Sequence, residues 1–186
     1  HYIFHYLPDS KAESDIEKIA KRQEKAYEKI IGTLNVDEPK QKIRYYLYPD
    51  AKIKEELTGD GGVAQSIFHD FSIHAVYAKG INPLGEHEDT HLLALPLGRS
   101  IGFFQEGLAE YMAGERTWLG KTREFWLREA LEKNIVPDVE CMMTQKDWMD
   151  SPDEEAPYYY AFAESFVSFL INGFGIEKFK EFYGRS

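Results

Sequence analysis

The chain has 186 residues, of which 43% are hydrophobic and 15% aromatic, enough to bury one sizeable core. Its formal net charge of −10 argues against nucleic acid and anionic membrane surfaces as partners, because the field of the protein repels both. The single cysteine, Cys141, leaves no partner for an internal disulfide and no thiolate-rich zinc site. No apolar run is long enough for a membrane-spanning segment. From the length and the apolar content we expect a single domain over residues 1–186.

Strands and helices alternate in the first part of the chain. YIFHY predicts a strand, and apolar residues at helical spacing from Ile16 to Ile31 predict a helix that stops at Gly32 and Asn35. KIRYYLYP predicts a second strand, AKIKEEL a short helix, and VAQSIF and SIHAVYA two further strands after the turn cluster TGDGG. Residues 1–82 are therefore expected to form a mixed α/β lobe with a small sheet.

From residue 83 onward the apolar spacing is helical. The segments that predict helices are HEDTHLLAL, FFQEGLAEYMA, KTREFWLREALEK, YYYAFAESFVSFLI and IEKFKEFY. Residues 83–186 are thus expected to be a helical part of an α+β protein.

The segment GEHEDTHLL contains two histidines four residues apart. On a helix, His87 and His91 lie on one face, so both imidazoles can reach one metal ion. Glu88 lies about 100° around the helix from His87, beside the metal, where its carboxylate can deprotonate a bound water. This is the H-E-x-x-H pattern of zinc metalloproteases.

A third ligand is offered by the next predicted helix. Two histidines leave a catalytic zinc ion one protein ligand short, and a carboxylate is a frequent third ligand. Glu106 stands in FFQEGLAEYMA, after a segment with Pro96, Gly98 and Gly102 that can turn the chain back. Glu110 follows one turn later and is placed to accept a hydrogen bond from a ligand histidine.

These motifs resemble those of a known family. HEDTH, QEGLAEY and YYYAFAESFVSFLINGFG, within residues 73–183, are similar to the gluzincin metallopeptidases, in particular to their bacterial peptidase-MA-like branch. The resemblance implies a zincin-like fold with the active-site helix between two lobes. It also implies zinc bound by His87, His91 and Glu106, with Glu88 as general base and Glu110 as the brace of a ligand histidine.

The resemblance further implies a tyrosine from the C-terminal part that stabilises the tetrahedral intermediate. The position falls on Tyr160, with Tyr159 and Tyr158 as neighbouring alternatives. The aminopeptidase branch carries a G-x-M-E-N strand that this chain lacks, which favours an endopeptidase. The implied substrate is a peptide or protein, extended along an exposed sheet edge for which we choose SIHAVYA.

Several other residues are predicted to have structural and not catalytic roles. Asp89 is expected at the surface or beside the metal ligands, and His74 as a hydrogen-bonded histidine on a half-buried strand. His1, His5 and His69 lack metal-ligand spacing. The acidic run 150–157 reads as a solvated loop, and Cys141 as an ordinary thiol.

Two alternatives to an active peptidase stay open. The first is a catalytically silent domain of the same fold that only binds a peptide or regulates a partner. The second is a structural protein in which the motif is coincidental. The sequence starts at His1 rather than at methionine, which favours an extracellular or cell-envelope protein that has lost a leader or anchor, with a cytoplasmic location as the alternative.

Overall fold

The computed structural model describes residues 1–114, 117–135, 142, 144–150 and 152–185. The chain divides into two compact units, His1–Pro96 and Leu97–Ser186. The first contains a four-stranded sheet with helices, and the second is mainly helical, which confirms the predicted α+β class. Within the described residues, no helix has the length and apolar character needed to cross a membrane. Cys141 lies outside the described residues.

The first unit follows the predicted order of elements. These are β1 (Tyr2–Tyr6), α1 (Lys11–Leu34), β2 (Ile43–Tyr48), α2 (Ala51–Thr58), β3 (Ala64–Ile67), β4 (Ser72–Val76) and α3 (Glu86–Leu93). Ser10 caps α1 by accepting a hydrogen bond from the Glu13 amide, and Asn35 ends it in the left-handed region. Gly32, expected to help stop this helix, lies inside it, because one glycine costs a helix only about 1 kcal/mol.

The sheet has the strand order β1-β2-β4-β3. The first three strands in this order run parallel, and β3 pairs with β4 in the antiparallel sense. The edge next to β4 is therefore formed by β3, and our choice of SIHAVYA as the exposed edge is wrong. The connection of residues 68–71 between β3 and β4 is short enough for a hairpin, which places β3 outside β4.

One face of this sheet carries the core of the first unit. Ile43, Tyr45 and Leu47 alternate along β2 and are buried, as are Ile73 and Ala75 of β4. Helix α1 adds buried apolar side chains, and α3 contacts both α1 and β3. The helix with the histidine pair therefore belongs to the same unit as the sheet.

The second unit is built around helices. Its elements are α4 (Gly102–Ala113), β5 (Thr117–Trp118), β6 (Lys121–Thr122), α5 (Arg123–Lys133), α6 (Gln145–Met149), α7 (Ala156–Phe174) and α8 (Ile176–Tyr183). The hairpin β5–β6 and helix α6 were not predicted, because elements of two to five residues are too short to show a periodic pattern.

Helices α4 and α7 approach each other closely at Gly107. A Cβ atom at this position would lie 2.5 Å from the carbonyl oxygen of Ala163 and 2.7 Å from Val167. Only a glycine permits this spacing, since real Cβ atoms do not come so near to a backbone oxygen. The helix that packs against α4 at Gly107 is therefore α7.

Candidate metal centre

Helix α3 presents the two predicted histidine ligands on one side. Its first turn contains Glu86, Glu88 and Asp89, whose negative charges are favourable at the positive end of a helix dipole. The rings of His87 and His91 lie with centroids 5.1 Å apart and planes at 79°. Both side chains are half-buried, so solvent reaches them. The four-residue spacing thus places two imidazoles next to each other, as the sequence predicted.

Glu106 supplies the third predicted ligand, from α4. Each of His87, His91 and Glu106 offers one atom that could bind a metal ion. These three atoms all lie within 4.8 Å of one another. No other group of three or more histidine, cysteine or acidic residues meets this criterion in the part of the chain that the structure describes. The donor set of two imidazoles and one carboxylate matches the ligand types of catalytic zinc sites.

Glu88 points to the edge strand of the sheet. The Ser66 hydroxyl of β3 lies 2.6 Å from Oε2 of Glu88 and 2.9 Å from the Glu88 backbone carbonyl. Neither sequence periodicity nor motif spacing identifies Ser66, because the contact joins residues 22 positions apart.

Asp89 is fully buried, so of its two expected placements the one at the surface is wrong, and the one beside the metal ligands stays a prediction. Its Oδ2 accepts hydrogen bonds from the Tyr2 hydroxyl of β1 and, at 3.0 Å, from the Gln23 amide of α1. The same amide also donates to the Gly85 carbonyl at 3.3 Å. Burial raises the pKa of Asp89 well above its ordinary value, and the charges of Glu88 and Glu86 raise it further against the two hydrogen bonds. Asp89 therefore fastens α3 to β1 and α1.

The acidic residues of α4 have neighbours in α7 and α8. Glu110, the predicted brace, lies one turn after Glu106 and is half-buried. Burial raises the pKa of Glu164 of α7, the ion pair with Arg123 lowers it, and the Glu110 charge raises it again. Burial also raises the pKa of Tyr183 of α8, with the negative charge of Glu106 as the second cause. Tyr183 is thus a buried neighbour of Glu106 that the sequence did not point to.

The three candidate tyrosines on α7 have different surroundings. The Tyr158 hydroxyl donates to Glu129 at 2.9 Å and accepts from Lys133 at 3.1 Å, both on α5. The Tyr159 hydroxyl donates to Glu155 at 3.0 Å. The half-buried ring of Tyr160 lies 4.6 Å from the Trp118 ring and 5.4 Å from the Trp148 ring, measured between centroids. The hydroxyls of Tyr158 and Tyr159 are therefore engaged outside the histidine and glutamate cluster.

His74 lies on the sheet face opposite the core and is hydrogen-bonded, as predicted. Its Nδ1 lies 2.8 Å from the Tyr48 hydroxyl and its Nε2 lies 3.1 Å from the Ser72 hydroxyl. Since the Ser72 hydroxyl donates to Asp70 at 2.6 Å, Nε2 of His74 is the donor in its bond to Ser72. Burial lowers the pKa of His74, which agrees with a neutral ring.

Comparison with known proteins gives no family assignment. The chain matches no protein-family model, and no curated protein resembles it at a significant level.

Proposed function

We propose that this chain is a zinc-dependent metallopeptidase of the gluzincin type with a zincin-like fold. The single observation that carries the proposal is the convergence of His87, His91 and Glu106, whose ligand atoms lie within 4.8 Å of one another. Ligand atoms on one tetrahedral zinc ion are about 3.4 Å apart, since zinc bonds to nitrogen and oxygen are about 2.1 Å long. The spacing is near enough to this value for side-chain rotation to bring all three atoms onto one ion.

The chemistry follows from residues next to this cluster. Zinc, when bound, would lower the pKa of a water ligand to about 7 and polarise the peptide carbonyl. Glu88 would accept the proton from the attacking water through a carboxylate oxygen and return it to the departing amine. Tyr160 would donate a hydrogen bond to the developing oxyanion.

The edge strand β3 supports an extended peptide as the substrate. The Val76 amide donates to the Val63 carbonyl, so in the alternating ladder Gln65 and Ile67 also bond to β4. The backbone groups of Ala64 and Ser66 consequently point away from β4, where they can pair with an added strand. A peptide held along its backbone at this edge needs no free terminus, which agrees with an endopeptidase.

The test compares the wild type with Glu88→Gln. We expect the purified wild type to hold about one equivalent of zinc and to cleave an unstructured protein such as casein until a chelator is added. Glu88→Gln should keep its zinc and lose at least about 100-fold in cleavage rate, since it removes the general base. The matched control is Glu86→Gln, two residues earlier on α3, whose carboxylate pairs with Lys29 at 3.1 Å.

Each contrary outcome has a definite meaning. Equal cleavage by the wild type and Glu88→Gln would remove Glu88 from the mechanism. Zinc binding without cleavage by the wild type would favour the catalytically silent, peptide-binding alternative. Failure of the wild type to bind zinc after metal loading would overturn the metal site itself.

A further inference from the structure

The Ser66 side chain is directed to α3 by the geometry of the edge strand. Ser66 pairs with Ile73, whose side chain belongs to the buried core face of the sheet. Directly opposed residues of an antiparallel pair place their side chains on the same face, so the Ser66 hydroxyl lies on the face that α3 covers. The side chains of Gln65 and Ile67 point to the opposite face. Ser66 therefore combines outward-pointing backbone groups with a side chain that reaches α3.

The Ser66 hydroxyl makes a short contact with a carboxylate. Its distance of 2.6 Å to Oε2 of Glu88 lies in the range of hydroxyl bonds to an ionised oxygen, which are about twice as strong as neutral ones. The Glu88 backbone carbonyl, at 2.9 Å, is a second acceptor for the same proton. Because the hydroxyl lies close to both ends of Glu88, it restricts the rotamers of a side chain that is otherwise long and mobile.

The neighbouring acidic residues of α3 are held by other parts of the first unit. Glu86 pairs with Lys29 of α1, and Asp89 accepts from Tyr2 and Gln23. Of the three acidic residues in the first turn of α3, Glu88 is thus the one that bonds to the edge strand β3. Because Ser66 bonds to Oε2, the carboxylate is held on one side, and Oε1 carries no bond to Ser66.

We propose that Ser66 is a positioning residue, which holds the Glu88 carboxylate in one orientation through its hydroxyl and links the general base to the strand that binds the peptide. This inference rests on the proposed peptidase function. It predicts that loss of the hydroxyl slows the chemical step and leaves both metal binding and peptide binding intact, because the Ser66 hydroxyl bonds to Glu88, the proposed base, and Glu88 is not a proposed metal ligand.

The experiment compares Ser66→Thr with Ser66→Val in a casein-derived peptide assay. The two substituents have nearly the same shape and both suit a strand, and only threonine keeps the hydroxyl. We expect Ser66→Val to lower kcat about ten-fold relative to Ser66→Thr, as loss of a hydrogen bond to a charged group does. KM and zinc content should stay within about two-fold of the wild-type values. A general destabilisation of the sheet would change them together with kcat. Ser66→Ala should behave like Ser66→Val.

A matched control is present in the next strand. Ser72 of β4 donates to the Asp70 carboxylate at the same distance of 2.6 Å, so Ser72→Ala removes an equivalent bond away from Glu88. Its kcat should stay near that of the wild type. Equal kcat values for Ser66→Thr and Ser66→Val, or a Ser66→Ala value no lower than that of Ser72→Ala, would overturn the role of Ser66 alone. A wild type without chelator-sensitive cleavage would instead overturn the proposed function and this inference with it.

Discussion

The two compact units hold their candidate ligand helices by different kinds of contact. In the first unit α3 buries Leu92 and Leu93 and is in addition fixed by polar contacts: Asp89 to Tyr2 and Gln23, Glu88 to Ser66, and Glu86 to Lys29. In the second unit α4 is fixed by packing.

The packing of α4 has two components. Gly107 lies against the backbone of α7, and the rings of Phe103 and Phe104 contact the Phe166 ring at centroid distances of 5.9 and 6.2 Å. A hydrogen bond fixes the direction of the side chain that makes it, whereas close packing fixes the distance between two helices. Side chains near α3 should therefore be sensitive to the loss of single polar atoms, and α4 should be sensitive to added volume.

The largest expected effect comes from the ligand on α4. Glu106→Ala removes one of three predicted zinc ligands, and we expect zinc content to fall from about one equivalent to below about 0.1 after dialysis against a metal buffer. Metal analysis by mass spectrometry measures this change. Glu177→Ala, an exposed acidic residue of α8, is the control and should retain its zinc. If Glu106→Ala binds zinc as well as the control does, α4 supplies no ligand.

The packing of α4 is tested next by Gly107→Ala. The added methyl group meets the Ala163 carbonyl oxygen, and we expect the free energy of unfolding to fall by about 3 kcal/mol in urea titrations. Gly173→Ala in α7, where nothing lies within 4 Å of the new Cβ atom, should be neutral or stabilising by up to about 1 kcal/mol. Similar losses for both variants would contradict the packing account.

The polar attachment of α3 is tested by Tyr2→Phe. This change removes one donor from the buried Asp89, and we expect a loss of about 2 kcal/mol in the free energy of unfolding. Tyr77→Phe is a matched control, since the Tyr77 hydroxyl donates to Asp15 at 2.8 Å and that side chain is only half-buried, whereas Asp89 is fully buried. Its loss should be smaller, because water can replace the missing donor. If Tyr2→Phe lowered the free energy of unfolding no more than Tyr77→Phe does, the buried hydrogen bond to Asp89 would stabilise the fold no more than the half-buried one to Asp15.

The smallest effect concerns the solvent-facing side of the sheet. Burial lowers the pKa of His74 in the folded state below the ordinary histidine pKa of about 6.5. At a pH between these two pKa values the unfolded chain binds more protons than the folded protein does. The free energy of unfolding should therefore fall as the pH drops below about 6.5, and His74→Gln should reduce this slope. His5→Gln is the control, because His5 stacks on the same Tyr46 ring as His74 does. An unchanged slope in His74→Gln would contradict the account.

The sequence by itself determined the features that depend on local spacing. The alternation along β2, the helical face shared by His87 and His91, and the helix with Glu106 and Glu110 follow from periods of 2 and 3.6 residues. The turn chemistry between these elements also follows from the local sequence, as the left-handed cap at Asn35 shows.

Only the tertiary structure decided which strand forms the edge, what surrounds Asp89 and what holds Glu88. The hairpin puts β3 outside β4, the packing of α3 against α1 buries Asp89, and Ser66 reaches Glu88 across 22 positions of the chain. Strand order and burial depend on which distant segments pair, and neither hydrophobic period nor residue type encodes that choice locally. For this reason the candidate ligand residues could be predicted from a motif, while the contacts of Ser66 with Glu88 and of Tyr2 and Gln23 with Asp89 could not.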